Sequence, residues 1–329
     1  MKKIAAMLLF LLLLSSSGCT ASVPVERELF AMDTLMQMKI WGDAQDAQVV
    51  CAEINRLDNA LSATAANSTL ALLNRSGSAA PSAELLALLT QSVFYAEQTD
   101  GAFDITVRPL MLAWGFTQEK QRIPDEKTLA ALLPCVGTEH MKIADGTVRL
   151  DSGTQLDLGG IAKGYTAECC KTLLSVRGVR AAMLNLGGNV QTLGSKPDGS
   201  AWLVGIADPQ NPSQAIASLT FFGTKSLVTS GSYQRYFEQD GVRYGHILDP
   251  KTGMPVTNGL ASVTVVAESG TMADAYSTAL FVMGKEKAAA FWRARDTFEA
   301  VLITDDGEIF ATEGAAPLLS DCEFTVIQR

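Results

Sequence analysis

Two rhythms of apolar and polar residues divide this chain. Asp43 to Ala60 repeats apolar residues at helical spacing, with Val49, Val50, Ile54, Leu57 and Leu61 on one face and Asp43 at the N-cap. Ser82 to Thr99 does the same behind Ser82, with Leu85, Leu86, Leu89 and Val93 as its stripe. Pro124 to Leu132 predicts a third helix, and Ser62 to Gly77 a loop of small residues with a helical piece ending at Leu73-Asn74. Thr271 to Met283 predicts a helix closed by Gly284 as a left-handed cap, and Lys285 to Arg295 a further one.

A period of two marks the strands. Leu29 to Trp41 predicts a strand pair, and Met141 to Leu150 a hairpin turning on Asp145-Gly146. Single strands are expected at Ala182–Leu186, Trp202–Ile206, Ala215–Phe222, Ser226–Gly231 and Ser262–Val266. Asp240-Gly241 turns a second hairpin, and Ala300–Thr304 with Glu308–Thr312 form a terminal one. Helices come early and strands late, with single helices between them. The class is α+β, one unit over residues 29–329 with mixed or antiparallel sheets and interleaved helices.

The stretch Leu156 to Glu168, LDLGGIAKGYTAE, breaks both rhythms. It predicts a short strand carrying Asp157, a turn on Gly159-Gly160, and a helix with Ala162, Tyr165, Cys169 and Leu173 on its apolar face. Such a corner offers backbone N–H groups and a positive helix end to an anion. Lys163 in the first turn opposes the helix dipole, which a phosphate would explain. The same residues also make a plain strand–turn–helix corner.

The N-terminus changes the picture of where the chain works. Lys2 and Lys3, an apolar run from Ile4 to Leu14 and small residues before Gly18-Cys19 form an export signal over 1–18, the apolar run being too short to span a bilayer. Cys19 after small residues looks like a lipobox, although Ser16 stands where Leu is usual. The expectation is a lipid anchor on Cys19, a polar tether over 19–28, and a position on the outer face of the cell membrane. The net charge of −9 falls to about −11 once Lys2 and Lys3 are removed, which excludes nucleic acid and basic-patch lipid binding. The remaining five cysteines show no metal-ligand spacing and no disulfide framework.

Four stretches can carry chemistry. In ADAYSTA, Asp274 and Thr278 share a helical face, with Ser277 at its edge; a carboxylate and hydroxyls suit a hard cation such as Mg²⁺, or simply complement the dipole and pack closely. In YGHILDPKTG, His246 is placed as a general base, a phosphate ligand or a half-buried structural residue. NLGGN (Asn185–Asn189) is a second Gly-Gly turn, and Thr229-Ser230-Gly231-Ser232 adds hydroxyls. Together these fit a diphosphate ligand with a metal.

These stretches, with Met32-Asp33-Thr34, FDITVRPLMLAWGF, the run from Trp202 to Pro209, TSGSYQRYF and HILDPKTGMP, resemble the ApbE family of FAD:protein FMN transferases over residues 28–312. The resemblance implies an ApbE-like fold that binds FAD with Mg²⁺ at the pyrophosphate. It implies attack on the FMN phosphorus by a Thr or Ser hydroxyl of an acceptor protein, with AMP leaving. Family acceptors are flavin subunits of membrane redox complexes, the Rnf and NQR types. Asp274 and Thr278 resemble the metal ligands, with a carbonyl of Gly160 or Ala162, and Ser277 stands where some members carry a further carboxylate. His246 resembles the family histidine that deprotonates the acceptor or holds phosphate. Lys163 and Asp157 would face FAD, Ile247 would lie beside the flavin, and Met32, Trp114, Gly115 and Phe116 would wall its pocket. Thr64 stands where many members place a Tyr over the flavin ring, and Asp33 where many have Gly. An FAD pyrophosphatase giving FMN and AMP, or a lipid-anchored flavin-binding protein, are the alternatives.

Overall fold

In the computed structural model, residues 23–117 and 120–329 are described. The expected export signal and Cys19 lie outside them. Nine strands form one sheet whose spatial order is also chain order: β1 (Val25–Ala31), β2 (Thr34–Ile40), β3 (Ala182–Leu186), β4 (Asn189–Leu193), β5 (Ser226–Gly231), β6 (Leu260–Ala267), β7 (Phe298–Thr304), β8 (Ile309–Thr312) and β9 (Thr325–Ile327). Every neighbour is antiparallel except β8 and β9, which run parallel. The class is α+β with antiparallel and mixed pairing.

The expected tether ends earlier than residue 28. Val25 to Glu28 already pair with Gln37 to Ile40. The segment reads as polar because it is an edge strand whose exposed residues Glu26, Arg27 and Glu28 discourage further pairing. Its partner β2 alternates strictly, with Met36, Met38 and Ile40 buried.

Three helices cover one face of the sheet. Helix α1 (Ala44–Leu61) starts at a capping box in which Asp43 and Asp46 each accept the other's backbone N–H, at 2.9 and 3.0 Å. It buries Val50, Ile54, Leu57 and Leu61. Helices α2 (Thr69–Ser76), α3 (Ala83–Gln98), α4 (Arg108–Trp114) and α5 (Glu126–Leu132) follow, then α6 (Ala162–Val176) and α7 (Gly270–Arg293). In α3 the buried stripe is Leu85, Leu88, Leu89, Ser92 and Ala96, while Leu86 and Val93 sit at its margin. In α6 the buried residues are Ala162, Gly164, Thr166, Ala167, Cys170 and Leu174, so the face is rotated from the expected one by small residues that pack closely.

Strand β6 explains how the layers stack. All eight of its residues are buried, because both faces are covered. Val263 and Val265 pack with Tyr276, Leu280 and Trp292 on the helix side. Val266 packs on the other side with Trp202, Leu219 and Phe221 from a three-stranded sheet of Trp202–Ala207, Ala215–Phe221 and Leu319–Ser320. Gly284 does break α7, but at φ 77° and ψ 166°, outside the left-handed helical region expected of it. That conformation is open essentially to glycine alone, and it divides the element into two helical stretches joined at a kink, as the expected pair of helices requires. Among the described residues no helix is long and apolar enough to cross a membrane.

Candidate active site

Four turns and one helix meet around a cavity of about 1140 Å³, a volume just above the usual range for a small-ligand site and roomy enough for a dinucleotide. The β1–β2 turn contributes Met32 and Asp33, which adopt φ 48° and 58°. The β3–β4 turn is Gly187-Gly188, both at positive φ, a two-residue hairpin of the kind glycine permits. A Cβ on Gly187 would stand 2.3 Å from Thr34 Oγ1, so the two hairpin tips pack together beside the cavity.

The stretch 156–163 forms the floor. The expected strand is an extended segment without a ladder: Asp157 N–H donates to the Ile105 carbonyl at 2.7 Å, and Gln155 makes only an isolated bridge to Val107. The turn follows because Asp157 Oδ1 accepts the Gly159 N–H at 2.8 Å, a local Asx turn. Asp157 Oδ2 lies 3.6 Å from the guanidinium of Arg108. Lys163 folds back so that Nζ donates to the Gly159 carbonyl at 3.2 Å, which holds its charge over the turn at the cavity wall.

Helix α7 supplies the acidic wall. Asp274 is buried, and its Oδ2 accepts the Gly164 N–H at 2.8 Å. Burial raises its pKa above the usual carboxylate value, against the pull of nearby Lys163, so the anion is short of positive partners. Thr278 lies one turn on and faces the cavity, with Oγ1 at 3.3 Å from Ser230 Oγ. Gly160 abuts it, since a Cβ there would come within 3.3 Å of Thr278 Oγ1. Asn189 donates weakly to Asp274 Oδ1 at 3.5 Å, and its buried Oδ1 has no protein partner.

These residues fit a hard divalent cation. Among the described residues there is no cluster of three His, Cys, Asp or Glu side chains that could hold a metal. One buried carboxylate, a hydroxyl, a backbone carbonyl at Gly160 or Ala162 and an orphaned amide oxygen form the donor set of an ion that completes its shell with phosphate and water.

His246 lines the same cavity, just past the hairpin Tyr236–Gln239/Val242–Gly245. Its Nδ1 lies 3.1 Å from the Arg235 carbonyl oxygen. A carbonyl only accepts, so Nδ1 carries the proton and Nε2 keeps a free lone pair. Burial and the cations Arg235 and Lys163 push its pKa down to about 4, so the ring is neutral near pH 7.

The cavity gathers Met32, Phe116, Asp157, Gly160, Ala162, Lys163, His246, Ile247, Asp274 and Thr278 along one wall-to-wall lining. Three expected residues stand elsewhere. Trp114 is fully buried, donates Nε1–H to the Gly253 carbonyl at 2.8 Å and packs on Phe116, Phe237 and Tyr244. Gly115 is the left-handed cap of α4, at φ 77°. Ser277 is fully buried and hydrogen-bonded to Ser230 Oγ and the Asp274 carbonyl, each at 2.9 Å, so it ties α7 to β5. Arg108 and Arg235 line the cavity without having been singled out in the sequence. The signal for Arg108 was available: like Lys163, it is a cation at the start of a helix, where the dipole does not favour one.

A family model described as the ApbE family matches residues 32–302. An FAD:protein FMN transferase of Treponema pallidum is 34% identical over 313 residues, spanning 88% of this chain and 86% of that protein. One from Vibrio cholerae is 33% identical over 287 residues, spanning 84% and 86%. The crystal structure of the ApbE protein from Thermotoga maritima superposes with a TM-score of 0.85 at 31% identity, over 91% of this chain and all of that one. The apo flavinyl transferase ApbE of Pseudomonas stutzeri gives 0.79 at 28% identity, over 90% and 96%. A match that runs from the tip of the first hairpin into β7, on a fold shared almost end to end, makes this chain a member of the ApbE family.

Proposed function

We propose that the protein is a transferase that moves FMN from FAD to a hydroxyl of an acceptor protein, with AMP leaving. The observation that carries this is His246, its Nδ1 bound to the Arg235 carbonyl and its Nε2 free, lining one cavity with Asp274, Thr278 and the glycine turn. The acceptor oxygen attacks the FMN phosphorus, and that P–O bond forms as the bond to the AMP phosphate breaks. Nε2 of His246 takes the hydroxyl proton. Lys163, held over the glycine turn at the cavity wall, pairs with the pyrophosphate and favours the charge that builds on it. Asp274 and Thr278, with a carbonyl of Gly160 or Ala162, would hold Mg²⁺, which when bound would neutralise phosphate charge. Ile247 and Phe116, apolar and at the wall, take the flavin ring system.

The acceptors are flavin-carrying subunits of membrane redox complexes of the Rnf and NQR types, and a lipid on Cys19 holds the enzyme on the outer face of the membrane. The test is the intact mass of such an acceptor after incubation with FAD and Mg²⁺. Transfer adds one FMN less water, and EDTA abolishes the gain. One observation favours a second reading, hydrolysis of FAD to FMN and AMP. The loop that lines the cavity at Ser62, Ala63 and Thr64 carries no aromatic side chain to cover the flavin, which leaves room for water. Free FMN and AMP without a mass gain on the acceptor would establish that reading.

A further inference from the structure

Helices α6 and α7 carry opposite halves of the site, and they meet N-terminus to N-terminus without a spacer. A Cβ on Gly164 would stand 2.1 Å from the Gly270 carbonyl oxygen, and one on Gly270 would stand 2.7 Å from the Gly164 carbonyl oxygen. Backbone therefore rests on backbone, one turn below Asp274. Glu168 lies one helical turn beyond Gly164, on the same face of α6. Its Oε2 accepts three hydrogen bonds from the start of α7: Ser269 Oγ at 2.9 Å, Thr271 Oγ1 at 2.9 Å and Thr271 N–H at 3.2 Å. Ser269 is itself the N-cap of α7 and accepts the Met272 N–H at 3.3 Å. A carboxylate at a helix N-terminus satisfies orphan N–H groups and complements the dipole. Here that carboxylate comes from the neighbouring helix and fixes the start of α7 against α6.

We infer that Glu168 is a positioning residue of the transferase: it fixes the rotation and depth of α7 against α6, and so the placing of Asp274 and Thr278 relative to the Gly159–Lys163 turn. Glu168 does not line the cavity, so it acts through these residues and not on the ligand. The Gly164–Gly270 contact sets how near the helices come. The Glu168 bonds, at one end of that contact, resist rolling about it. Without them Asp274 keeps its Gly164 bond, but Thr278, a full turn further along, loses its fixed place beside Gly160.

The inference rests on the transferase reading, and its test separates the two. Mg²⁺ is titrated calorimetrically into the purified full-length protein saturated with FAD. Metal-free FAD binding is followed in parallel by flavin fluorescence. Glu168→Ala is expected to weaken Mg²⁺ binding about tenfold, as loss of groups that orient metal ligands does, while metal-free FAD binding stays as in the wild type. Glu168→Gln keeps an oxygen acceptor for the same donors and should restore binding close to the wild-type value. A purely structural role would lower the melting temperature and leave the Mg²⁺ affinity of the folded protein unchanged, and that result overturns the inference. Should Glu168→Ala fail to fold, Thr271→Val decides: it removes one of the three bonds, and unchanged Mg²⁺ affinity there overturns the inference too. A wild-type protein that binds no Mg²⁺ with FAD present overturns the inference together with the metal-dependent transferase reading.

Discussion

Nδ1 of His246 sits 3.1 Å from the carbonyl oxygen of Arg235, the same oxygen that accepts the His246 backbone N–H at 3.0 Å. Two bonds from one residue to one carbonyl fix both the ring plane and the tautomer. The consequence is a base whose free nitrogen is aimed by the backbone, where carboxylate–histidine pairs use a side chain.

Replacement of His246 by Ala should therefore lower transfer about 10²-fold or more, the usual worth of a general base, while FAD binding changes little. Single-turnover flavinylation of the acceptor measures this, and an unchanged rate would leave His246 a structural role. The pH dependence adds a signature. With a pKa near 4, His246 stays neutral across the neutral range, so the acid limb it causes in kcat/KM falls well below pH 6.5. The folded pKa is depressed, so stability linked to His246 is complete above about pH 6.5 and is lost as pH falls towards 4. Over that window the wild-type melting temperature should fall further than that of His246→Ala.

Periodicity made the frame of the fold legible: α1 and its Asp43 cap, the β1–β2 hairpin and the strand runs follow from it directly. It was blind where burial depends on partners. Strand β6 is buried on both faces, so its eight residues show no alternation of exposure, and only the second sheet explains why. The edge strand β1 hid in the tether because charges protect it. Asp274, His246 and Lys163 stand out in the sequence as candidates because each is chemically out of place in its local pattern, and all three line the cavity. Glu168 does not stand out, since a carboxylate on an amphipathic helix is ordinary until its partners on α7 are known.

The apolar motif around Trp114 shows the same limit. A tryptophan beside a flavin and one in a core read alike in sequence. Trp114→Phe should keep most of the packing on Phe116, Phe237 and Tyr244 but leave the Gly253 carbonyl without its donor. The expected cost is about 1–3 kcal/mol of stability, read by denaturant unfolding, with the FAD dissociation constant unchanged. A large loss of flavin affinity at unchanged stability would put Trp114 at the ligand after all.

Gly164→Ala tests the contact between α6 and α7. The added methyl would meet the Gly270 carbonyl oxygen at 2.1 Å and Asp274 Cβ at 2.6 Å, and the former is backbone that no rotamer change can move. The helices must separate, at a cost of about 1–3 kcal/mol. Because the Gly164 N–H is also the donor to Asp274 Oδ2, Mg²⁺ affinity should fall with stability. Thermal unfolding and Mg²⁺ titration of the same preparation check both. A variant as stable as the wild type would show that the contact is looser than the structure has it.

Asp274→Asn separates the needs of catalysis from those of folding. Burial raises the Asp274 pKa, so its linked stability is present below the unfolded value near 3.9 and is lost as pH rises through the folded one. Without metal the buried carboxylate is therefore costly to ionise, a cost offset only partly by Lys163, the Gly164 N–H and Asn189. An amide keeps an oxygen for the Gly164 N–H and carries no charge. The metal-free variant should then melt about 2 °C or more above the metal-free wild type. Added Mg²⁺ with FAD should raise the wild-type melting temperature and leave the variant's unchanged, because ligand stabilisation follows binding to the native state. Transfer to the acceptor should vanish in the same variant. Differential scanning calorimetry with and without EDTA reads the first two effects, and the acceptor's mass reads the third. A metal-free variant less stable than the wild type would mean that Asp274 is held in place as a structural anion, with partners strong enough to need no cation.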